Sequence, residues 1–140
     1  MDTTRRTIST RILLAGGAAL LTLAACGGGG DSGLSEQAQQ GKNLATSNGC
    51  ASCHGSDGQG GVGPSWEDLA GRDVEVKVSE DDGGGTTIVV ADDDYLRRAI
   101  LDPGADEVTG YTVKMPSNGL TEDEVDDIIA YIKELTSSEG

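Results

Sequence analysis

The chain has 140 residues and a formal net charge of −14, with 24 Asp and Glu against 10 Lys and Arg, and its only aromatic residues are one Trp and three Tyr. An acidic balance of this size speaks against nucleic acid as a partner, because phosphate binding rests on Lys and Arg. The length allows one small domain, and so few aromatic side chains leave its core short of apolar bulk unless a large apolar group supplies it.

Arg5, Arg6 and Arg11 precede an apolar run of 14 residues from Ile12 to Ala25. A basic segment followed by an apolar stretch too short to span a bilayer reads as a signal peptide. The run ends in Leu23-Ala24-Ala25-Cys26, which resembles a lipobox, where the cysteine is diacylated and becomes the first residue of the mature chain. The expectation is a lipoprotein signal peptide over residues 1–25, lipidation at Cys26, a flexible linker over 26–34 and a folded domain over 35–140. An ordinary signal peptide with an incidental cysteine is the alternative. Removing residues 1–25 takes away three Arg and one Asp, leaving 7 basic against 23 acidic side chains and a net charge of −16. The implied location is exported and lipid-anchored at a bacterial membrane, facing the periplasm or the cell exterior.

Ser35 caps a predicted helix that runs to about Ser47, with Glu36 in its first turn, and Asn48-Gly49 ends it. Gly41 inside this helix costs about 1 kcal/mol relative to alanine, which a close helix crossing would offset. Next comes Cys50-Ala51-Ser52-Cys53-His54, the attachment sequence of a c-type haem. Two thiols three residues apart each add to one haem vinyl group, and the following histidine places an imidazole beneath the iron. His54 is the only histidine in the chain, so bis-histidine ligation is excluded. A thioredoxin-type dithiol requires a βαβ setting, whereas Gly55 to Gly61 reads as a loop. Structural zinc requires four ligands, and this cluster offers three. With Cys26 lipidated and Cys50 and Cys53 on haem, no thiol remains for a disulfide.

Val74, Val76 and Val78 alternate with Glu75, Lys77 and Ser79, the period of a strand; Gly83-Gly84-Gly85 turns the chain, and Thr86 to Val90 is β-branched throughout. The two strands predict a short hairpin. The acidic runs Glu80-Asp81-Asp82 and Asp92-Asp93-Asp94 lack the spacing of a calcium loop and read as a solvated turn and a helix cap. A helix follows from Asp92 or Asp93 through Leu101, stopped by Asp102-Pro103. Thr121-Glu122-Asp123-Glu124 is a capping box, after which Val125, Ile128, Ile129, Ile132 and Leu135 line one face of a last helix. Tyr131 sits near that face and is expected to fill the space left by Gly41. Between these helices lies Met115-Pro116, with Met115 the only methionine of the mature chain. A thioether suits low-spin haem iron and raises its potential, so Met115 is read as the sixth ligand against the alternative of a gap-filling core residue.

The N-terminal helix, the Cys50–His54 motif, Gly61-Val62-Gly63-Pro64, Met115-Pro116 and the C-terminal helix together resemble a class I cytochrome c across the whole domain. Tyr95-Leu96-Arg97-Arg98-Ala99-Ile100-Leu101-Asp102-Pro103, with Gly110-Tyr111 beyond and the hairpin before, resembles the cytochrome c domain fused to subunit II of some haem–copper oxidases. The resemblance implies a mainly α fold of three to four helices around one haem, with a short β-hairpin insertion. It implies one haem c bound through Cys50 and Cys53, with His54 and Met115 on the iron. It also implies that the Pro64 carbonyl accepts a hydrogen bond from the ligand imidazole, fixing its orientation and tautomer. The sequence has no cupredoxin domain, dicopper ligands or transmembrane hairpin, so the expectation is a stand-alone lipid-anchored carrier.

A six-coordinate iron has no open position for substrate, so the expected function is single-electron transfer in a respiratory chain rather than catalysis. The expected partners are a protein donor and acceptor, a terminal oxidase among the candidates, and the membrane through the lipid. A permanent subunit of an oxidase or dehydrogenase complex, and a haem peroxidase or ligand sensor, are the alternatives.

Overall fold

The computed structural model describes residues 33–78 and 83–136. The expected signal peptide, Cys26 and nearly all of the linker lie outside the described residues, as does the acidic run 80–82. Among the described residues no helix is long and apolar enough to cross a membrane. The described residues form four helices and one two-stranded antiparallel sheet: α1 (Glu36–Ser47), α2 (Ala51–His54), β1 (Asp73–Lys77), β2 (Thr86–Val90), α3 (Asp93–Leu101) and α4 (Glu122–Glu134).

The frame is the packing of α1 against α4. Ser35 Oγ accepts from the Ala38 N–H at 3.2 Å, capping α1 as its sequence predicts. The buried residues of α1 are Ala38, Gly41 and Ala45, a stripe of small side chains that lets the two backbones approach. A Cβ built on Gly41 would lie 1.9 Å from the Asp127 carbonyl oxygen and 2.9 Å from the Tyr131 Cβ. The crossing expected at Gly41 is therefore present, although the backbone of Asp127 fills the space more closely than Tyr131 does. On α4 the capping box is complete, with Glu124 Oε2 accepting from the Thr121 N–H at 2.8 Å. Val125, Ile128, Ile129, Tyr131 and Ile132 are all buried, and Leu135 packs against them from the C-cap. Ser35 closes the frame by donating from its N–H and Oγ to the two carboxylate oxygens of Glu134, at 2.8 and 2.6 Å.

Helix α3 packs Tyr95, Leu96 and Ile100 into the same core. Its cap is Asp92, whose Oδ1 accepts from the Tyr95 N–H at 2.8 Å, so this acidic run serves a helix terminus. The hairpin pairs Asp73 with Val90 through Lys77 with Thr86. Val74 and Val76 point into the core while Asp73, Glu75 and Lys77 face out, the alternation the sequence predicts. Two features have no periodic signal in the sequence. Helix α2 is a single turn, and residues 107–109 lie against β1 through a Val76–Val108 bridge.

Replacing Gly41 with alanine tests the crossing directly. Alanine gains about 1 kcal/mol of helix propensity. Its methyl group, however, meets backbone rather than a movable side chain, and such overpacking costs about 1–3 kcal/mol. Gly41→Ala is expected to lower the thermal unfolding temperature of the holoprotein; an unchanged or raised temperature would mean that α1 and α4 sit farther apart.

Candidate functional site

The site is built at the far end of α1 by local backbone geometry. Asn48 closes the helix, donating from its N–H and Nδ2 to the Leu44 carbonyl at 2.9 Å each, and Gly49 turns the chain at φ +79°. The Cys50 N–H then returns to the Ala45 carbonyl at 2.9 Å, which fixes the start of the next turn against α1. In that turn the His54 N–H donates to the Cys50 carbonyl at 3.0 Å. Residues three and four apart share one face of a helical turn, so the side chains of Cys50, Cys53 and His54 are neighbours.

The glycine-rich loop after His54 folds back onto the carbonyls this short turn leaves unpaired. Gly60 N–H donates to the His54 carbonyl at 2.7 Å and Gly63 N–H to the Cys53 carbonyl at 3.0 Å. At Gly63 a Cβ would come within 3.2 Å of His54 Cε1, a tight contact that glycine avoids as the loop passes the imidazole. The fold-back carries Pro64 to the ring. Its carbonyl accepts from His54 Nδ1 at 2.8 Å, and since a carbonyl has no proton to give, Nδ1 carries the hydrogen. Nε2 is thereby left with the lone pair. Burial holds the His54 imidazole below the usual histidine range, partly offset by the Pro64 contact, so the ring is neutral at pH 7.

Trp66 stacks on His54 with ring centroids 4.5 Å apart and planes 20° from parallel, and it meets Tyr131 of α4 edge-on at 6.2 Å. One face of the imidazole is thus packed and its Nδ1 edge is bonded, which leaves the ring a single orientation. Trp66 escaped the sequence reading because it sits in an irregular segment with no periodicity; its standing as the chain's sole tryptophan was the only signal.

Both thiols are free and half-buried. Burial, with Cys53 beside it, pushes the Cys50 thiol above its ordinary range. A dithiol oxidoreductase works through a lowered thiol pKa, so this environment opposes that alternative. Among the described residues no group of three His, Cys, Asp or Glu side chains is placed to hold a metal ion. The donor set suits a covalently held haem instead: two free thiols on one face and a neutral imidazole whose Nε2 is available.

The structure therefore brings Cys50, Cys53, His54 and Pro64 together. Met115 comes from a different part of the chain, the irregular segment between α3 and α4, where it is half-buried. Tyr111 and Val113 in the same segment, and Val62 beside the motif, are apolar yet exposed on the polypeptide. Lys114, directly before Met115, is paired with Glu107, so its charge is answered locally.

Residues 38–136 match the family model described as cytochrome c. No curated protein matches the chain. The match covers most of the folded domain, and the family consists of electron carriers that hold haem c covalently through a cysteine pair, here Cys50 and Cys53. With its fold, its attachment motif and this match in agreement, the chain belongs to the cytochrome c family as a class I member.

Proposed function

We propose that this protein is a monohaem electron carrier of a respiratory chain, anchored by lipid at Cys26 to the outward face of a bacterial membrane, with His54 and Met115 as the residues that would ligate the haem iron. A bound haem supplies a one-electron ferric–ferrous couple at this site. The polypeptide supplies everything that fixes how that couple is held. Cys50 and Cys53 tether the macrocycle to the turn, and His54 presents Nε2 in an orientation set by Pro64 and Trp66. Met115 would offer a bound haem iron a soft sulfur donor, which favours the reduced state. The observation that carries the reading is the 2.8 Å contact from His54 Nδ1 to the Pro64 carbonyl, the outer-shell bond that orients a metal-ligating histidine.

Partners follow from charge and tether. A surface of net −16 beyond residue 25 is steered toward basic docking patches. A membrane-bound terminal oxidase with such a patch is the proposed acceptor. The linker after Cys26, seven residues from Gly27 to Gly33, reaches at most about 25 Å, which keeps the domain close to the bilayer.

Met115→Ala tests the axial assignment. The ferric variant is expected to lose the sulfur-to-iron charge-transfer band, its reduction potential to fall, and the reduced form to bind carbon monoxide that the wild type refuses. A variant with the wild-type spectrum would make Met115 a packing residue, and carbon monoxide binding by the wild type would favour a sensor or peroxidase.

Cys26→Ser tests the anchor. Two acyl chains give stable membrane attachment where one is marginal. The variant is expected to be released as a soluble haem protein or to stay unprocessed in cell fractionation. Wild-type protein found wholly soluble with Cys26 unmodified would mean an ordinary signal peptide.

A further inference from the structure

The segment that carries Met115 is fastened on both sides, and on its upstream side the fastening belongs to the hairpin. Residues 107–109 run beside β1, joined to it by an isolated antiparallel bridge between Val76 and Val108. The Lys77 N–H donates to the Glu107 carbonyl at 2.8 Å, and the Thr109 N–H donates to the Glu75 carbonyl at 3.0 Å. Side chains repeat the tie. The Glu75 carboxylate accepts from Thr109 Oγ1 and from Thr86 Oγ1, each at 2.8 Å, so one acid on β1 grips its neighbours on either side. Those two hydroxyls, Thr109 first, hold its carboxyl below the usual carboxylate range. Lys114, directly before Met115, pairs with Glu107, which also accepts from Lys77 at 3.2 Å. On the downstream side Asn118 Nδ2 donates to the Ile100 carbonyl in the last turn of α3 at 2.6 Å, and Asn118 Oδ1 accepts from the Leu120 N–H at 3.2 Å.

A short irregular segment pinned at both ends has few conformations left to lose when its side chain takes up a fixed position. We propose that the hairpin is a brace for the Met115 loop, with Thr109, through Glu75, the positioning residue that sets how firmly Met115 holds its coordination position. The inference rests on the reading of Met115 as the sixth ligand. It gives the hairpin a role: β1 connects the loop to the core through Val74 and Val76, both buried, while its outward face carries the tie.

Imidazole is the probe, because it competes with the thioether for ferric iron and its apparent affinity rises as the closed form loses population. Thr109→Val keeps the side-chain shape and removes the hydroxyl, and Thr109→Ser restores it. Thr86→Val removes the other hydroxyl on Glu75 without touching the loop. Thr109→Val is expected to bind imidazole about fivefold more tightly than wild type, the factor that loss of one ordinary hydrogen bond produces. Its reduction potential should fall, and the amides of residues 110–114 should exchange faster with solvent. Thr109→Ser and Thr86→Val should titrate like wild type. Met115→Ala separates the two ideas. If it binds imidazole tightly while Thr109→Val behaves as wild type, Met115 is the ligand and the brace is wrong. Equal gains in Thr109→Val and Thr86→Val would reduce the effect to general loosening of the hairpin and also overturn the role of Thr109. Wild-type affinity in Met115→Ala would remove the ligand reading and the brace with it.

Discussion

The hydrogen bond from His54 Nδ1 to the Pro64 carbonyl decides the tautomer of the imidazole, and much of the surrounding structure exists so that it can form. Pro64 reaches the ring because the glycine-rich loop folds back over the one-turn helix, and Gly63, with no side chain, eases the close passage of the loop by His54. The imidazole must also be dry enough to stay neutral, which burial beneath Trp66 ensures. Remove the carbonyl and the ring has two tautomers to choose between; remove the stack and it has more than one orientation. A metal-ligating histidine needs both settled before the metal arrives.

From this site the dependence runs outward through a few aromatic side chains. Trp66 carries the position of His54 to Tyr131, Tyr131 belongs to α4, and α4 is set against α1 by the close approach at Gly41. Since α1 delivers Cys50, the loop closes on itself: the helix crossing positions both the thiols and the ring packed behind the histidine. A chain with no Phe thus builds its interior from aliphatic side chains, Trp66, Tyr95 and Tyr131. The surface follows a different logic. Lys42, Lys77, Arg97, Arg98, Lys114 and Lys133 each face a carboxylate, so these cations knit segments together rather than form a basic patch. Exposed pairs of this kind contribute little stability singly. Their consequence is that the excess acid sets the field a partner meets.

What the sequence made legible was whatever repeats or has a fixed local grammar. The capping box at Thr121, the apolar stripe of α4, the valine alternation of β1 and the Asp92 cap were each readable because helix and strand periods and cap chemistry act over a few residues. The haem motif was readable for the same reason. Helix α2 was not, since four residues hold no period. The Trp66 stack, the Val76–Val108 bridge and the Asn118–Ile100 contact depend on residues far apart in sequence, without any local pattern that announces the pairing. The Lys114–Glu107 pair shows the same limit: the two lie seven positions apart in irregular chain, and only the fold brings them within reach.

The most direct test of the account is proton NMR of the reduced wild-type protein, in which low-spin iron is diamagnetic and the haem ring current shifts whatever lies on its axis. Met115 is the only methionine after Met1, so its methyl signal is readily assigned. The account predicts that this methyl resonance moves far upfield and that one imidazole N–H, the Nδ1 proton of His54, exchanges slowly because Pro64 holds it. A methionine methyl at its random-coil position, or a histidine Nδ1 proton lost at once to solvent, would contradict it.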